Sequence, residues 1–237
     1  MRLSALAGLA AVLSLVAVCL LGCAEATNPV EDAPSAPGAM PGEKERPGTG
    51  DKEHPLLVFF TNPQYPDDPA DHQGGLDRTL AADVARAQST VDVAAYDFDL
   101  ESVADAMMAA HKQGVRVRLV IESDNAEEAA VLSVKSAGIE VVEDGRDALM
   151  HNKSVIIDEA IVWTGSWNLT ESGTYRNNNN AVRIVSELLA ENYVTEFEEM
   201  FDDGAFGTAS PADTPHAQVL VGGGDRDDEV LIESYFG

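Results

Sequence analysis

The chain has 237 residues, 45% of them hydrophobic, which is room for one ordinary domain plus tails. Its formal charge is -26, and from Leu56 to Phe206 there are 28 Asp and Glu against 10 Lys and Arg, so the acidity belongs to the folded part as well as the tails. Such a surface repels phosphate backbones at long range and lacks the footprint of a non-specific nucleic-acid binder; an anionic ligand must be drawn in by a local positive pocket.

Met1 and Arg2 precede an apolar run from Leu3 to Leu21, which predicts a signal peptide over residues 1–22. The end of that run, Leu20-Leu21-Gly22-Cys23, resembles a bacterial lipobox and implies cleavage before Cys23 with lipid on its thiol. An ordinary cleaved signal and an uncleaved anchor helix are the alternatives, since about 19 apolar residues nearly span a bilayer. All three export the protein: the first gives a lipid-anchored protein of the cell envelope, the second a secreted one. Cys19 lies in the removed segment, so a chain cleaved before Cys23 has no second thiol for a disulfide. Residues 23–54 turn to Pro, Gly, Ala, Glu and Asp, cannot bury enough surface to fold, and read as a flexible tether.

A folded domain is expected over residues 55–206. Leu56 to Phe60 is a short apolar run bounded by prolines, a buried strand. Leu76, Leu80, Val84 and Ala87 recur at helical spacing; Thr90 to Tyr96 is β-branched and strand-like. Val103, Ala106, Met107 and Ala110 stripe a second helix that stops near Gly114, with the methionines as core filler. Val115 to Ile121 alternates as a third strand, Ala126 to Ala137 is a third helix, and Ile139 to Val142 a fourth strand before the Asp144-Gly145 turn. Strands at His151–Ile157, Ile161–Trp163 and Ala181–Val185 follow, with Thr170 to Gly173 a loop or brief helical start. A last helix is striped by Leu188, Leu189, Tyr193, Phe197, Met200 and Phe201. The alternation predicts an α/β fold, a layered sheet flanked by helices whose ligand sits at strand ends. Residues 207–237 read as a linker and then a pair of strands, Gln218–Val221 and Val230–Phe236. The second of these is similar to Leu56–Thr61 and so a candidate start of a second homologous half; a closing hairpin on the same sheet is the alternative.

The chemistry concentrates between His151 and Asn180. His151 and Lys153 alternate onto one face of their strand, an arrangement too charged for a core, so an anion belongs between them. Ser166 and Asn168 again share a face and follow Gly165, which lets backbone approach a ligand closely. Trp163 and Trp167 read as packing residues, with the pocket mouth the alternative for Trp167.

The full string H-x-K-x(4)-D-x(6)-G-S-x-N, made by His151, Lys153, Asp158, Gly165, Ser166 and Asn168, resembles the HKD motif of the phospholipase D superfamily. The resemblance runs from about Leu56 to Phe201 and implies a phospholipase D-like layered fold with a mixed β-sheet. It further implies a phosphodiesterase in which two such motifs meet: one histidine attacks phosphorus to give a phosphohistidine and the other protonates the leaving alcohol. His151, Lys153 and Asp158 are then the catalytic set, Asp158 bracing the site rather than touching phosphate, while Lys153, Ser166 and Asn168 bind the phosphate oxygens. No metal or cofactor is required by this set. One motif in the chain implies that the second comes from a homodimer mate or from a missing C-terminal half. Eleven residues past the motif asparagine, single-motif relatives carry a glutamate that orients the histidine. The chain has Asn179 there, a candidate orienter that cannot stabilise a charged imidazole as a carboxylate does, which favours an asymmetric two-half arrangement with His151 as nucleophile or acid. Glu159 stands where relatives commonly have glycine.

The expectation is an exported, membrane-tethered phospholipase D-type enzyme acting on phospholipids, with nucleic acid an unlikely partner. The alternatives are a nuclease of the same fold, which needs a basic groove absent from the sequence, and a non-catalytic envelope lipoprotein, a pseudoenzyme or half-domain.

Overall fold

The computed structural model describes residues 54–211, 214–222 and 229–234. The expected signal peptide, Cys23 and all of the tether before His54 lie outside the described residues. Among the described residues no helix is long and apolar enough to cross a membrane.

Seven strands form one mixed sheet: β1 (Leu56–Phe60), β2 (Thr90–Ala95), β3 (Arg116–Ile121), β4 (Glu140–Glu143), β5 (Lys153–Ile157), β6 (Ile161–Gly165) and β7 (Asn180–Val185). Their order is β1-β7-β6-β5-β2-β3-β4. β2, β3 and β4 run parallel, joined through helices α2 (Glu101–Lys112) and α3 (Ala129–Ser136); every other pairing is antiparallel. β2 is buried along its whole length because both faces of the sheet are covered. On one face α1 (Leu76–Val84), α2 and α3 pack Leu80, Val84, Met107 and Val131 against Val91, Val93, Val155 and Ile157. On the other, α5 (Glu187–Phe201) packs Leu189, Phe197 and Met200 against Ala94, Val120, Ile156 and Val162. The period of two thus sends Val155 and Ile157 to the first layer and Ile156 to the second.

Two polar networks bind the layers. Asp92, fully buried in β2, accepts from the Arg118 guanidinium of β3 at 2.7 and 3.0 Å, and that guanidinium lies over the rings of Phe197 and Phe201 at 4.8 and 5.0 Å. In the other layer Asp83 of α1 accepts from Trp163 Nε1 at 3.0 Å and Arg183 Nε at 2.6 Å, while Phe59 stacks on Trp163 at 5.3 Å. β6 and β7 are thereby tied to α1.

The elements follow the sequence pattern with local departures, the first being β1, which was expected to be buried and is an edge strand with Val58 and Phe60 exposed. The third helix begins at Ala129 rather than Ala126, because Asn125 donates to the Tyr96 carbonyl at 2.6 Å and Ser123 N donates to Asp144 at 3.0 Å, drawing residues 123–125 into a 3-10 turn against the sheet end. Thr170 caps a short helix, α4 (Glu171–Tyr175), by accepting from Gly173 N. The last two strands pair, but β8 (Gln218–Val221) and β9 (Val230–Glu233) form a two-stranded sheet of their own rather than an edge of the main one. Val219, Val221 and Ile232 pack beside Phe197 and Met200, and buried Asn192 of α5 clasps His216 through 2.6 and 2.8 Å bonds. Phe206, the last residue of the expected domain, is buried beneath Arg146, which donates to its carbonyl at 3.1 Å.

Asp92→Ala leaves Arg118, among the described residues, with Glu198 and Asp202 as carboxylate partners, at 3.9 and 4.0 Å. Equilibrium denaturation of this variant is expected to show a loss of about 3 kcal/mol.

Candidate active site

The pairings bring to one end of the sheet the C-terminal ends of β1, β2, β3, β4 and β6 and the N-terminal ends of β5 and β7. His151 stands just before β5, exposed, and Lys153 is its first residue. The backbone ahead of them is fixed by Glu122, a carboxylate buried immediately after β3 that accepts from Met150 N. Lys153 pairs with Ala95 of β2, and Tyr96 N donates to Asn152 O at 2.9 Å. The side chains of His151 and Lys153 then meet one ring. Tyr96 lies edge-on to the imidazole with centroids 4.7 Å apart and an interplanar angle of 63°, and Lys153 Nζ sits 5.2 Å from the same ring centre. Nζ also donates to His151 O at 3.0 Å.

The electrostatics follow from that packing. What burial it has, and then the Lys153 ammonium, push the His151 imidazole below its ordinary value; burial likewise pushes Lys153 down, opposed by Asp97. Burial raises the Asp97 and Asp99 carboxyls, the former also through its Asp99 and Glu128 neighbours. A neutral imidazole therefore stands beside a cation.

The Gly165-Ser166-Trp167-Asn168 turn follows β6, whose Thr164 pairs with Ser154, so the next residue, Gly165, stands abreast of Lys153. Gly165 has φ +143°, and a Cβ there would lie 2.5 Å from the Asn180 carbonyl oxygen; only glycine fits. The closeness lets that one carbonyl accept from both Ser166 N and Trp167 N, at 3.1 and 3.2 Å. Ser166 Oγ accepts from Asn180 N and donates to Asn179 Oδ1, each at 3.1 Å. Asn168 keeps a buried Oδ1 with no partner among the described residues. Trp163 and Trp167 are both buried, and with Lys153, Val155 and Leu169 they line a cavity of about 20 Å³ beneath the site.

Two expected members are engaged away from the imidazole. Asp158 lies at the opposite end of β5, roughly 16 Å from Lys153 at an extended-strand rise. There its Oδ1 accepts from Ser89 N, Ser89 Oγ and Thr90 N and its Oδ2 from Gln88 N, at 2.7 to 3.1 Å, with its own φ at +53°. It shares no space with the imidazole and acts as a clamp on β2, so its place in the catalytic set is one of support through the strand and not of contact. Asn179 spends its amide on Ser166 and on Gly173 O at 2.9 Å, while Thr61 accepts from its backbone N at 2.7 Å. The amide that the motif spacing puts forward for the imidazole is engaged with the serine turn instead.

The family model described as "Cardiolipin synthase, PLD-like domain" matches residues 80–201, about half of the chain and the segment from α1 to the end of α5. The chain belongs to the phospholipase D-like domain family. It is 31% identical over 120 residues to the mitochondrial cardiolipin hydrolase of Xenopus tropicalis, covering 50% of this chain and 57% of that one. With the phospholipase D of Rickettsia prowazekii it shares 30% over 122 residues, 51% of this chain and 60% of that one. The chain spans little more than half the length of these curated relatives. Among solved structures, the phospholipase D family member Nuc from Salmonella typhimurium superposes with a TM-score of 0.54 at 25% identity, over 63% of this chain and 95% of that one. NucT from Helicobacter pylori, at 17% identity and a TM-score of 0.51, shares the fold.

Three contributors to this phospholipase D-like site escape a reading of the motif alone: Tyr96, Glu122 and Thr61. Each stands at or just past the C-terminal end of a strand, which is the one signal that finds them. His72 is a fourth, farther out. Its ring stacks on Tyr175 at 4.6 Å and lies between Asp67 and Glu171 at 2.7 and 2.6 Å, bracing α4 behind the serine turn.

Burial alone would raise the Asp158 carboxyl, but the N–H groups of Ser89, Gln88 and Thr90 and the Ser89 hydroxyl outweigh it and hold the group below its ordinary value. Its contribution to stability is therefore complete above the unfolded carboxyl value near 3.9 and is lost as pH falls through the folded one. Asp158→Ala is expected to cost about 2 kcal/mol at pH 7, as measured in urea. That cost shrinks below about pH 4, and kcat of the folded fraction changes less than tenfold.

Proposed function

We propose that this domain is a phospholipase D-type phosphodiesterase that hydrolyses phospholipids through a phosphohistidine at His151. The observation that carries the reading is the convergence of His151 and Lys153 on one aromatic ring at the sheet end, abreast of the Gly165-Ser166-Trp167-Asn168 turn. The relatives named phospholipase D and cardiolipin hydrolase support the phospholipid as substrate.

A nucleophilic imidazole has to be neutral, and burial with the Lys153 charge keeps His151 so near neutral pH. Its ring nitrogen attacks phosphorus, forming a P–N bond as the P–O bond to the leaving alcohol breaks. Lys153 neutralises charge on a non-bridging oxygen, and the Ser166 hydroxyl and Asn168 amide supply hydrogen bonds to the others. Because Ser166 donates to Asn179 in this chain, it must exchange that partner for the phosphate oxygen. The leaving alkoxide takes a proton from a second histidine, supplied by the mate in a homodimer or by a homologous C-terminal half; water then attacks the phosphohistidine and releases the imidazole. Positive charge at the phosphorus comes from Lys153, so no step calls for a metal. The apolar N-terminal run and Cys23 support an exported, lipid-anchored protein of a bacterial envelope, which puts the domain beside its substrate.

The purified protein is expected to hydrolyse phospholipid in vesicles at a rate unchanged by chelator, with the acid limb of kcat/KM below the ordinary imidazole value of 6.5. His151→Ala is expected to lower kcat by about a thousandfold or more. Product release from headgroup-labelled vesicles, with the solution mass recorded alongside, checks all three. Undiminished hydrolysis by the variant would overturn the reading.

A further inference from the structure

Tyr96 belongs to no motif, yet its ring is where the side chains of His151 and Lys153 both pack, beside the direct bond from Lys153 Nζ to His151 O at 3.0 Å. Its backbone is fixed on both sides: N–H donates to Asn152 O at 2.9 Å, in the dipeptide step between His151 and Lys153, and its carbonyl accepts from Asn125 Nδ2 at 2.6 Å. Held in that position, its ring touches the imidazole edge-on at 4.7 Å and carries the Lys153 ammonium 5.2 Å from its centre. A ring quadrupole attracts an ammonium without neutralising it. This distinguishes it from the carboxylate attraction open to Lys153, while the His151 carbonyl accepts one Nζ proton at 3.0 Å. Asp97 follows Tyr96 directly, and Asp99 and Glu128 add their charge behind it. An ammonium paired with Asp97 would be lost both to a phosphate oxygen and to the imidazole it helps keep neutral.

We infer that Tyr96 is the positioning residue of this site, its ring holding the Lys153 ammonium away from Asp97 and in a fixed relation to the His151 imidazole. The inference rests on the phosphodiesterase reading above and names the group that presents nucleophile and phosphate-binding charge together. The contacts run through the ring, so the hydroxyl is dispensable and phenylalanine replaces tyrosine, whereas an aliphatic side chain of similar bulk fills the space without holding the cation.

Acidic groups lie on the elements packed around the pair, and of these Asp97 acts on Lys153. Asp97 and Asp99 follow β2, Glu122 follows β3 and is engaged by Met150 N, Glu128 precedes α3, and Glu196 of α5 is bonded to Asn152. None of these changes identity in the variants, so a movement of the His151 titration reports on the two causes that Tyr96 touches, the cover its ring gives the imidazole and the position of Lys153.

The test compares the full chain with Tyr96→Phe and Tyr96→Leu by two readouts: NMR titration of the His151 ring and kcat/KM on phospholipid vesicles. Tyr96→Phe is expected to match the wild type within about twofold. Tyr96→Leu is expected to lose about tenfold in kcat/KM, with the His151 midpoint moving up toward that of a free imidazole as Lys153 swings to Asp97. A leucine variant with the wild-type midpoint and rate overturns the inference, and so does a phenylalanine variant that behaves like leucine. Should the wild type hydrolyse no phosphodiester, the reading above fails while the titration still decides the role of Tyr96. Should Tyr96→Leu fail to fold, nuclear Overhauser contacts from the Tyr96 ring to both the His151 ring and the Lys153 ε-methylene are expected in the wild type, and their absence overturns the inference.

Discussion

The register of β5 is the constraint on which the site depends. This strand lies between β2 and β6, and a slip of one residue would turn Lys153 from the α1–α3 layer to the α5 layer and separate it from Tyr96. Carboxylates clamp it at both ends. Glu122 grips Met150 N ahead of the strand, and Asp158 grips the N–H groups of Gln88, Ser89 and Thr90 beyond it. The aspartate that closes the motif is thus as far from the imidazole as β5 allows, and its spacing from His151 reflects the length of that strand. Gly165 completes the arrangement on the neighbouring strand, where the absence of a side chain lets the Asn180 carbonyl organise the serine turn.

A chain of charge -26 meets its anion through very few groups. Screening confines most surface carboxylates to their own surroundings, since the Debye length is about 8 Å at physiological ionic strength. Within the site, a partly desolvated Lys153 is worth more than the same charge in water. The acids that do lie close, Asp97 and Asp99, are raised by burial, which blunts their claim on the lysine. The positive character of the site is local and rests on where one ammonium is held.

How much of this was legible in the sequence depends on whether the determinant lies within one element or between elements. Alternation along a strand is enough to put His151 beside Lys153, and apolar periodicity places the elements to within a few residues, whereas Ser166 and Asn168 lie past the end of β6 in a turn that alternation does not describe. What alternation cannot disclose is strand order. That β5 inserts between β2 and β6 is a tertiary fact, and it alone brings Tyr96 and Glu122, from the ends of strands far upstream, to the motif. The same reason separates Asp158 from the imidazole: the spacing counts residues and leaves open that they run the full length of a strand. Asn179 shows the converse. Its distance from Asn168 matches a family position, but a substituted amide finds the serine turn within reach and bonds there. The terminal hairpin was visible as two strands; that it packs on α5 follows from Asn192 and Phe206, whose roles require the folded layer.

The most direct test of the account is to trap the covalent intermediate. Turnover of a phosphodiester substrate would be stopped by rapid alkaline quench, which preserves a phosphorus–nitrogen bond, and the peptide bearing His151 would be weighed and sequenced by mass spectrometry. The expected result is a phosphorus adduct on the imidazole of His151, still carrying the ester that does not leave, that forms and decays within the catalytic cycle. Steady turnover with no adduct there, or with the adduct on another side chain, would contradict it.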